Sequence, residues 1–448
     1  MNHYFKIAER NSTPYRETLA GVVTFMTMAY ILCVQPAIMS GQMFGMDTGM
    51  NIGALITATC IAAAFGSILM GFWANYPIAL APGMGQNFFV VLTLMPFCAV
   101  MLGSQVGADS VWQLALGVVF VSGVFFAILS FLNIRKLLID AISPSLRSGI
   151  SAGIGLFIAL LGLQYAELII TKNGNYVLGS FTATPGPLVF CVGLIAAAVL
   201  FSLRFRGALL FAIIISAFVA AWFGQITLGI PFGTPASPMP VVAKIDLWGV
   251  VEHFAQLLPM IIILLVMDVF DTLGTTVAVG TRAGLIQDDK FPNVERVFAA
   301  DATATVFGAV CGHSTVTAYI ESTAGVESGG RTGLTAIVTG ILFLLAMFFA
   351  PFIEMIGSYQ PITASALVIV GAFMMQSAAK IDWDDATESI PAFLIMIGIP
   401  FSYNISDGLI LGLMIYPVIK LLSGKGLSIN WLLYPLSILL VLYAVLLK

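Results

Sequence analysis

Charge is what this chain has least of: Asp, Glu, Lys and Arg together make up 9% of its 448 residues, against about 25% in soluble domains. That scarcity excludes a soluble protein with one buried core. With 59% of the residues hydrophobic, a chain this long cannot hide its apolar surface from water, so the bilayer must be its solvent. No Lys/Arg tract is present, which argues against a nucleic-acid partner. The formal net charge of −4 says little about partners, because the charges are unevenly placed. Cysteine is sparse as well. Cys33, Cys60, Cys98, Cys191 and Cys311 sit mostly in apolar runs, with no CxxC spacing and no clustering with His. They read as small core residues, not as disulfides or metal ligands, and no metal or cofactor is expected. The polar start Met1–Arg16 precedes a full-length span, so no cleavable signal peptide is expected. Nothing resembles an ATP-binding motif, which argues against an ATP-driven pump.

What is there is a series of apolar stretches. Candidate spans run over 18–40, 52–73, 112–132, 148–169, 187–203, 207–224, 255–280, 296–311, 332–352, 362–379, 389–404, 406–422 and 430–447. Two further segments, near 79–96 and 316–328, break the rules of a membrane helix at membrane depth. One contains Pro77-Ile-Ala-Leu-Ala-Pro-Gly-Met-Gly-Gln-Asn87. The other is Gly312-His-Ser-Thr-Val-Thr-Ala-Tyr-Ile-Glu-Ser322, followed by Gly325, Gly329 and Gly330. Non-helical backbone survives at that depth only inside protein or along a water-filled cavity. A matching pair of interrupted segments, one in each half, is the sequence pointer to a transporter's binding site.

Positive charges set the orientation. With the N-terminus in the cytoplasm, Lys6, Arg10, Arg16, Arg135, Lys136, Arg147, Arg204, Arg206, Arg282, Lys290, Arg296, Arg331, Lys380, Lys420 and Lys425 all fall on the cytoplasmic side. Only Lys172, Lys244 and Lys448 fall outside. This positive-inside asymmetry supports treating each broken segment as a crossing, since dropping one inverts everything after it. The element order span, span, broken segment, four spans reads on both sides of a Gly- and Pro-rich connection that includes Pro231–Pro240. An odd number of elements per half inverts the second half. The expected fold is therefore an all-α polytopic membrane protein, a seven-plus-seven inverted-repeat transporter. Residues 1–230 form the first repeat, 231–425 the second, and 426–448 an added C-terminal helix.

Ionisable residues inside spans cost at least ~2.5–3.5 kcal/mol each to insert, so each is a functional candidate. In Met267-Asp-Val-Phe-Asp-Thr-Leu-Gly-Thr275 the residues Asp268, Asp271, Thr272 and Thr275 share one helical face. Two close carboxylates repel, which suits a site that exchanges charge for a proton and also offers acceptors to ligand N–H groups. They equally suit a structural pair bonded to backbone N–H groups. The alternation before Glu321 suits a short strand. Two short extended pieces, one from each half, would then pair at the midplane and satisfy each other's backbone. Helices starting just after them would aim their N-termini at the centre. Glu321 would then sit beside a ligand or cap its own helix. Asn87 ends the Gly-rich stretch of the first half. Asp301 reads as a brace for the Asp268 helix or the broken segment. His313 reads as a satisfied polar residue at a strand entrance or as a proton relay. Gly83, Gly85, Gly325, Gly329 and Gly330 permit close backbone approach. Phe88, Phe89, Phe270 and Tyr319 offer faces for a planar ring or pack in the core.

Six segments carry a resemblance. Phe25-Met-Thr-Met-Ala-Tyr30, Ala79-Leu-Ala-Pro-Gly-Met-Gly-Gln-Asn87, Asp268-Val-Phe-Asp-Thr-Leu-Gly-Thr275, Ser314-Thr-Val-Thr-Ala-Tyr-Ile-Glu-Ser322, Gly329-Gly-Arg-Thr-Gly-Leu-Thr335 and Glu388-Ser-Ile-Pro-Ala-Phe393 resemble the AzgA-like purine permeases of the nucleobase–ascorbate transporter superfamily. The similarity covers nearly the whole chain in order. It implies proton-coupled uptake of hypoxanthine, guanine or adenine across the inner (plasma) membrane, without enzymatic activity. It also implies fourteen helices in core and gate domains, an elevator movement and a homodimer. By the same resemblance Asp268 and Glu321 hold the base. Asp271 is the second acid of its helix, tied to function or proton coupling, and Asn87 supports the pocket. The expected substrate-binding set is thus Asp268, Glu321, Asn87, Phe88, Tyr319, Gly85 and Ala318. The expected coupling set is Asp271, Asp268, Glu321 and His313, with Asp301, Thr272 and Thr275 in support. Family members often carry Thr where His313 stands and Leu where Gln86 stands, so both positions place an extra polar group by the site.

Three rivals are weaker. The same fold carrying uracil, xanthine or sulfate remains open for the first two, but sulfate would require a basic pocket, and none is visible at the midplane. A channel would show rings of repeated acids, whereas these acids concentrate in one half. An intramembrane aspartyl protease would need a second aspartyl helix motif, which does not follow.

Overall fold

Capping residues set the helix starts. Thr13 accepts from the Arg16 amide at 3.3 Å and Pro14 fills the first helical position, where a missing N–H costs nothing. That opens α1 (Pro14–Met28). Asn51 accepts from the Ala54 amide at 2.9 Å and opens α2 (Ile52–Leu69), which runs on as a wider turn to Ala74. The computed structural model describes residues 2–103, 107–131, 143–172, 175–285 and 293–426, with scattered positions from 429 to 438. Most of the expected span 430–447 and of the expected C-terminal segment 426–448 lies outside the described residues.

After α2 come strand β1 (Leu80–Pro82) and the short helix α3 (Met84–Phe89), then α4 (Ala108–Phe131) and α5 (Pro144–Tyr165). An exposed hairpin, β2 (Ile169–Lys172) with β3 (Asn175–Leu178), precedes the helices Gly186–Ser202 and Ala208–Trp222. The second half runs through α6 (Phe254–Arg282), α7 (Val294–Val310), β4 (Val316–Ala318), α8 (Ser322–Glu327) and α9 (Gly333–Ala346). It ends with α10 (Pro361–Met375), α11 (Ala386–Ser402) and α12 (Ile405–Leu422). Among the described residues eight helical stretches are long and apolar enough to cross a membrane, and three shorter apolar helices accompany them. The protein is therefore a mostly helical, multi-pass membrane protein.

Both interrupted segments form the expected strands, and these pair with each other. β1 and β4 run antiparallel, Leu80 opposite Ala318, Ala81 opposite Thr317 and Pro82 opposite Val316. Bonds from Gly83 N to Thr315 O at 2.9 Å and from Tyr319 N to Ala79 O at 3.0 Å extend the pair. Ser67 of α2 serves the outer edge: its hydroxyl donates to Leu80 O at 3.0 Å and accepts from Leu80 N at 2.9 Å. Ala79 N donates to Ser322 Oγ at 3.0 Å. Every strand residue is buried, and an orphaned peptide group there would cost a full desolvation penalty.

The first expected span, 18–40, is two helices. α1 ends at Met28, and a second piece runs Ile31–Met39. Between them Leu32 N bonds Ala29 O and Cys33 N bonds Tyr30 O, a tightened turn. Pro36 stands inside the second piece, where it donates no backbone bond and crowds the turn before it. The break leaves Tyr30 facing the second broken segment.

The helices pack in two groups. One holds α1, α2, α4, α6, α7, α9 and the strand pair; the other holds α5, α10, α11, α12, Gly186–Ser202 and Ala208–Trp222. Glycine lets backbones touch inside each group. A Cβ on Gly333 of α9 would lie 2.0 Å from Gly71 O, and one on Gly371 of α10 would lie 2.4 Å from Gly155 O on α5. Gly333→Ala is expected to cost about 1–3 kcal/mol of stability by overpacking against backbone. It would show as a lower detergent melting temperature than Gly229→Ala, a position with nothing within 4 Å. Equal melting of the two variants would remove this account.

Candidate functional site

The strand pair is a platform from which two helices start at once. Gly83 leads from β1 into α3, and Tyr319–Glu321 leads from β4 into α8. Tyr319 closes the platform, its hydroxyl donating to Pro82 O at 2.5 Å. α6 passes beside both.

The face of α6 expected to act as one unit is divided by its neighbours. Asp268 is 1% exposed and its Oδ2 accepts from Thr305 of α7 at 2.9 Å. Thr272 donates to Asp301 Oδ2 at 2.6 Å and lies 3.1 Å from the Thr317 hydroxyl of β4. Thr275 is buried one turn on. These side chains bind α6 and α7 to the strand. Asp271 points the other way: it is exposed, as are Gly274, Val277 and Thr281 further along the same face. That open face leads to Arg282, 4.0 Å from Glu327 at the end of α8. Glu321 is half-buried at the same opening and accepts from the Tyr30 hydroxyl at 2.9 Å. Gln86 of α3 donates to Asp271 Oδ2 at 3.2 Å.

A second polar chain runs behind the strands. The Asn87 side-chain oxygen accepts from Ser314, joining the two broken segments directly. His313 is fully buried, with Nδ1 2.7 Å from the Gln35 amide nitrogen, and Gln35 in turn accepts from Thr59 at 2.7 Å. Asp268 Oδ1, Asp301 Oδ1, Asn87 Nδ2 and His313 Nε2 are buried with no hydrogen-bond partner among the described residues. Unpaired buried polar atoms of this kind are costly, and these four gather beside the strand pair, which makes the place the candidate site.

Of the expected aromatic groups, Phe88 lies away from the opening. It is fully buried with its ring edge-to-face against Phe44 and Phe157, at 5.9 and 6.1 Å. Phe270 is half-buried at the opening, with the Arg147 guanidinium of α5 5.2 Å from its centre. Gly85 faces Ile154 of α5, where a Cβ would meet it at 3.2 Å, and Ala318 is held in the ladder. The site thus lies where the two helix groups meet. Sequence reasoning gave no role to Tyr30, Ser314, Thr305 or Gln35. Tyr30 and Ser314 stand inside quoted motifs, but no spacing rule points at a partner hundreds of residues away.

Comparison with known proteins agrees with this architecture. The family model Xan_ur_permease, described as "Permease family", matches residues 16–410. The chain is 39% identical over 458 residues to the guanine/hypoxanthine permease PbuG of Bacillus subtilis, covering 100% of each. It is 37% identical over 431 residues to the adenine permease AdeQ of Escherichia coli, covering 96% of this chain and 93% of that one. Its fold is similar to the transmembrane domain of the cyanobacterial bicarbonate transporter BicA, with a TM-score of 0.64 at 17% identity, covering 89% of this chain and 97% of that one. The expected resemblance is borne out, and the chain belongs to this permease family: it is a membrane transporter and not an enzyme.

Proposed function

We propose that this permease imports purine nucleobases together with protons, with guanine and hypoxanthine as the leading substrates and adenine as a further one. The observation that carries this reading is the strand pair, which leads into Glu321 beside the exposed Asp271 of α6. Permeases named for guanine/hypoxanthine and for adenine match it along nearly the whole chain. Two carboxylates accept N–H donors and cannot donate while ionised, so they suit a neutral heterocycle rich in N–H groups and reject an anion. Glu321 and Asp271 hold the base in this reading, with Asn87, Tyr319, Gly85 and Ala318 shaping the platform. Asp268, buried one turn behind Asp271, takes the coupled proton and passes its state through Thr305 to the strand at Val316 O. Asp301 braces that network, and His313 fixes the far end.

The helix group carrying α1, α6 and the strands acts as the moving core, and the group carrying α5 and α10 as the gate. Residues 1–230 and 231–425 are inverted repeats, the protein sits in the inner membrane as a homodimer with its N-terminus in the cytoplasm, and lipid surrounds the gate. A proton moving inward gains ~2.3 kcal/mol per 100 mV, enough to concentrate a neutral base.

The test is uptake of radiolabelled guanine, hypoxanthine, adenine and uracil by cells lacking their own purine carriers, with and without a protonophore. Purine uptake that collapses with the protonophore supports symport. Purine uptake that survives it removes the proton, and uptake of uracil alone moves the substrate to another base of the same fold.

A further inference from the structure

Gln86 occupies an unusual place. It is 2% exposed, and its side chain folds back over the start of its own helix. A Cβ on Gly83 would lie 2.3 Å from Gln86 Oε1 and 2.9 Å from Thr317 Cγ2. The side chain therefore stands in a slot that exists because residue 83 is glycine, with the edge of β4 as its other wall. From that slot its amide nitrogen reaches Asp271 Oδ2 at 3.2 Å. This length is at the long end for an N–H···O bond, so a ligand can take it over at small cost. Asp271 makes no other side-chain hydrogen bond among the described residues. Glu321 is within electrostatic reach of Asp271.

Gln86 and Asp271 set an amide donor beside a carboxylate acceptor, and Glu321 supplies a second carboxylate acceptor nearby. The complement of that set on a planar ligand is an adjacent acceptor and donor, with a further donor for Glu321. A 6-oxopurine carrying a 2-amino group presents this pattern on one edge, with O6, N1–H and the 2-amino N–H in sequence. A 6-oxopurine without the 2-amino group supplies the first two. A 6-aminopurine places a donor where the Gln86 amide needs an acceptor. We propose that Gln86 is a specificity-determining residue that reads the 6-oxo group of the base, so that this permease ranks guanine first, hypoxanthine second and adenine last. The inference rests on the reading that Asp271 and Glu321 hold a nucleobase.

The test is equilibrium binding of radiolabelled guanine, hypoxanthine and adenine to purified protein. Wild type is compared with Gln86→Met, which keeps the shape and removes the amide, and with Gln86→Leu. Both variants should lose about 10- to 100-fold in affinity for guanine and hypoxanthine, and less than about threefold for adenine. Equal losses for all three bases, or no loss for any, overturn the assignment of Gln86 while leaving the nucleobase reading intact. Wild-type protein that is folded, as shown by a sharp melting transition, and binds none of the bases overturns both. A Met variant that melts with wild type excludes misfolding as the cause of a loss.

Discussion

Glu321→Gln is expected to lower uptake of the transported base by at least about 100-fold while leaving the amount of protein in the membrane unchanged. The exchange preserves shape but replaces a carboxylate by an amide, so one oxygen that accepted from a ligand N–H becomes a second donor. Hydrogen bonds to charged groups are worth about 1.5–3 kcal/mol, and a donor facing a donor leaves both unpaired. With each factor of ten worth about 1.4 kcal/mol, the loss spans one to two decades from the bond and more from the mismatch. Tyr30→Phe removes the other partner of Glu321, a bond of 2.9 Å, and is expected to cost about 3- to 10-fold, because the carboxylate remains. The double variant should be no worse than Glu321→Gln alone, since both changes act on one contact. Uptake by Glu321→Gln within threefold of wild type would place the ligand elsewhere.

The largest expected effect on stability is at the far end of the same helix group. Glu17 of α1 is fully buried and answers three donors. Arg331 N reaches its Oε1 at 3.0 Å, Thr332 N its Oε2 at 3.2 Å, and the Thr335 hydroxyl its Oε2 at 2.6 Å. Gly333 N bonds Asn75 Oδ1 at 2.8 Å, and Arg10 donates to Asn75 O at 2.7 Å and Arg331 O at 2.9 Å. The turn between α8 and α9 is thus held from outside its own sequence. Glu17→Ala leaves the Arg331 and Thr332 amides without acceptors and the Thr335 hydroxyl with only the Glu17 carbonyl, at 3.4 Å. It is expected to cost about 3–5 kcal/mol, the scale seen when one partner of a buried charged contact is removed. The checks are detergent melting temperature and the monodisperse fraction after extraction. Glu17→Gln should fall between wild type and Ala, because one amide oxygen still accepts. A melting temperature for Glu17→Ala within a degree of wild type would show that water replaces the carboxylate. The turn leads directly from Glu321's helix into α9, so loosening it should also weaken base binding.

Glu17 shows where sequence reading stops. The run Gly329-Gly-Arg-Thr-Gly-Leu-Thr335 stands out in the sequence, yet its partner lies more than three hundred residues upstream in an apolar helix, with nothing locally to mark it. Tyr30 and Glu321 are the same case. So is Gln86, whose polar character was visible while its slot over Gly83 was not. Thr272 reads in the sequence as support on the Asp268 face and Thr305 has no marked role, and only the crossing of α6 and α7 gives Thr305 to Asp268 and Thr272 to Asp301. Phe88 errs in the opposite direction. An aromatic beside Asn87 suggests a stacking face, but the turn of α3 rotates it into the packing against Phe44 and Phe157.

The sequence by itself determined the solvent, the multi-pass helical character and the positions of both interruptions. It also determined the strand character of those interruptions. These follow from properties carried by short stretches of chain: apolar length, helix-breaking Gly and Pro, and the requirement that every peptide group in lipid find a partner. The tertiary structure alone decided which acid faces the opening and which is buried. Asp268 and Asp271 are three residues apart on one helix, chemically equal in sequence. Their difference comes from what packs against each side of α6, with α7 and β4 closing over Asp268 and the gap between the two helix groups left before Asp271. Burial and partner are properties of the neighbours, which reach the site from distant parts of the chain.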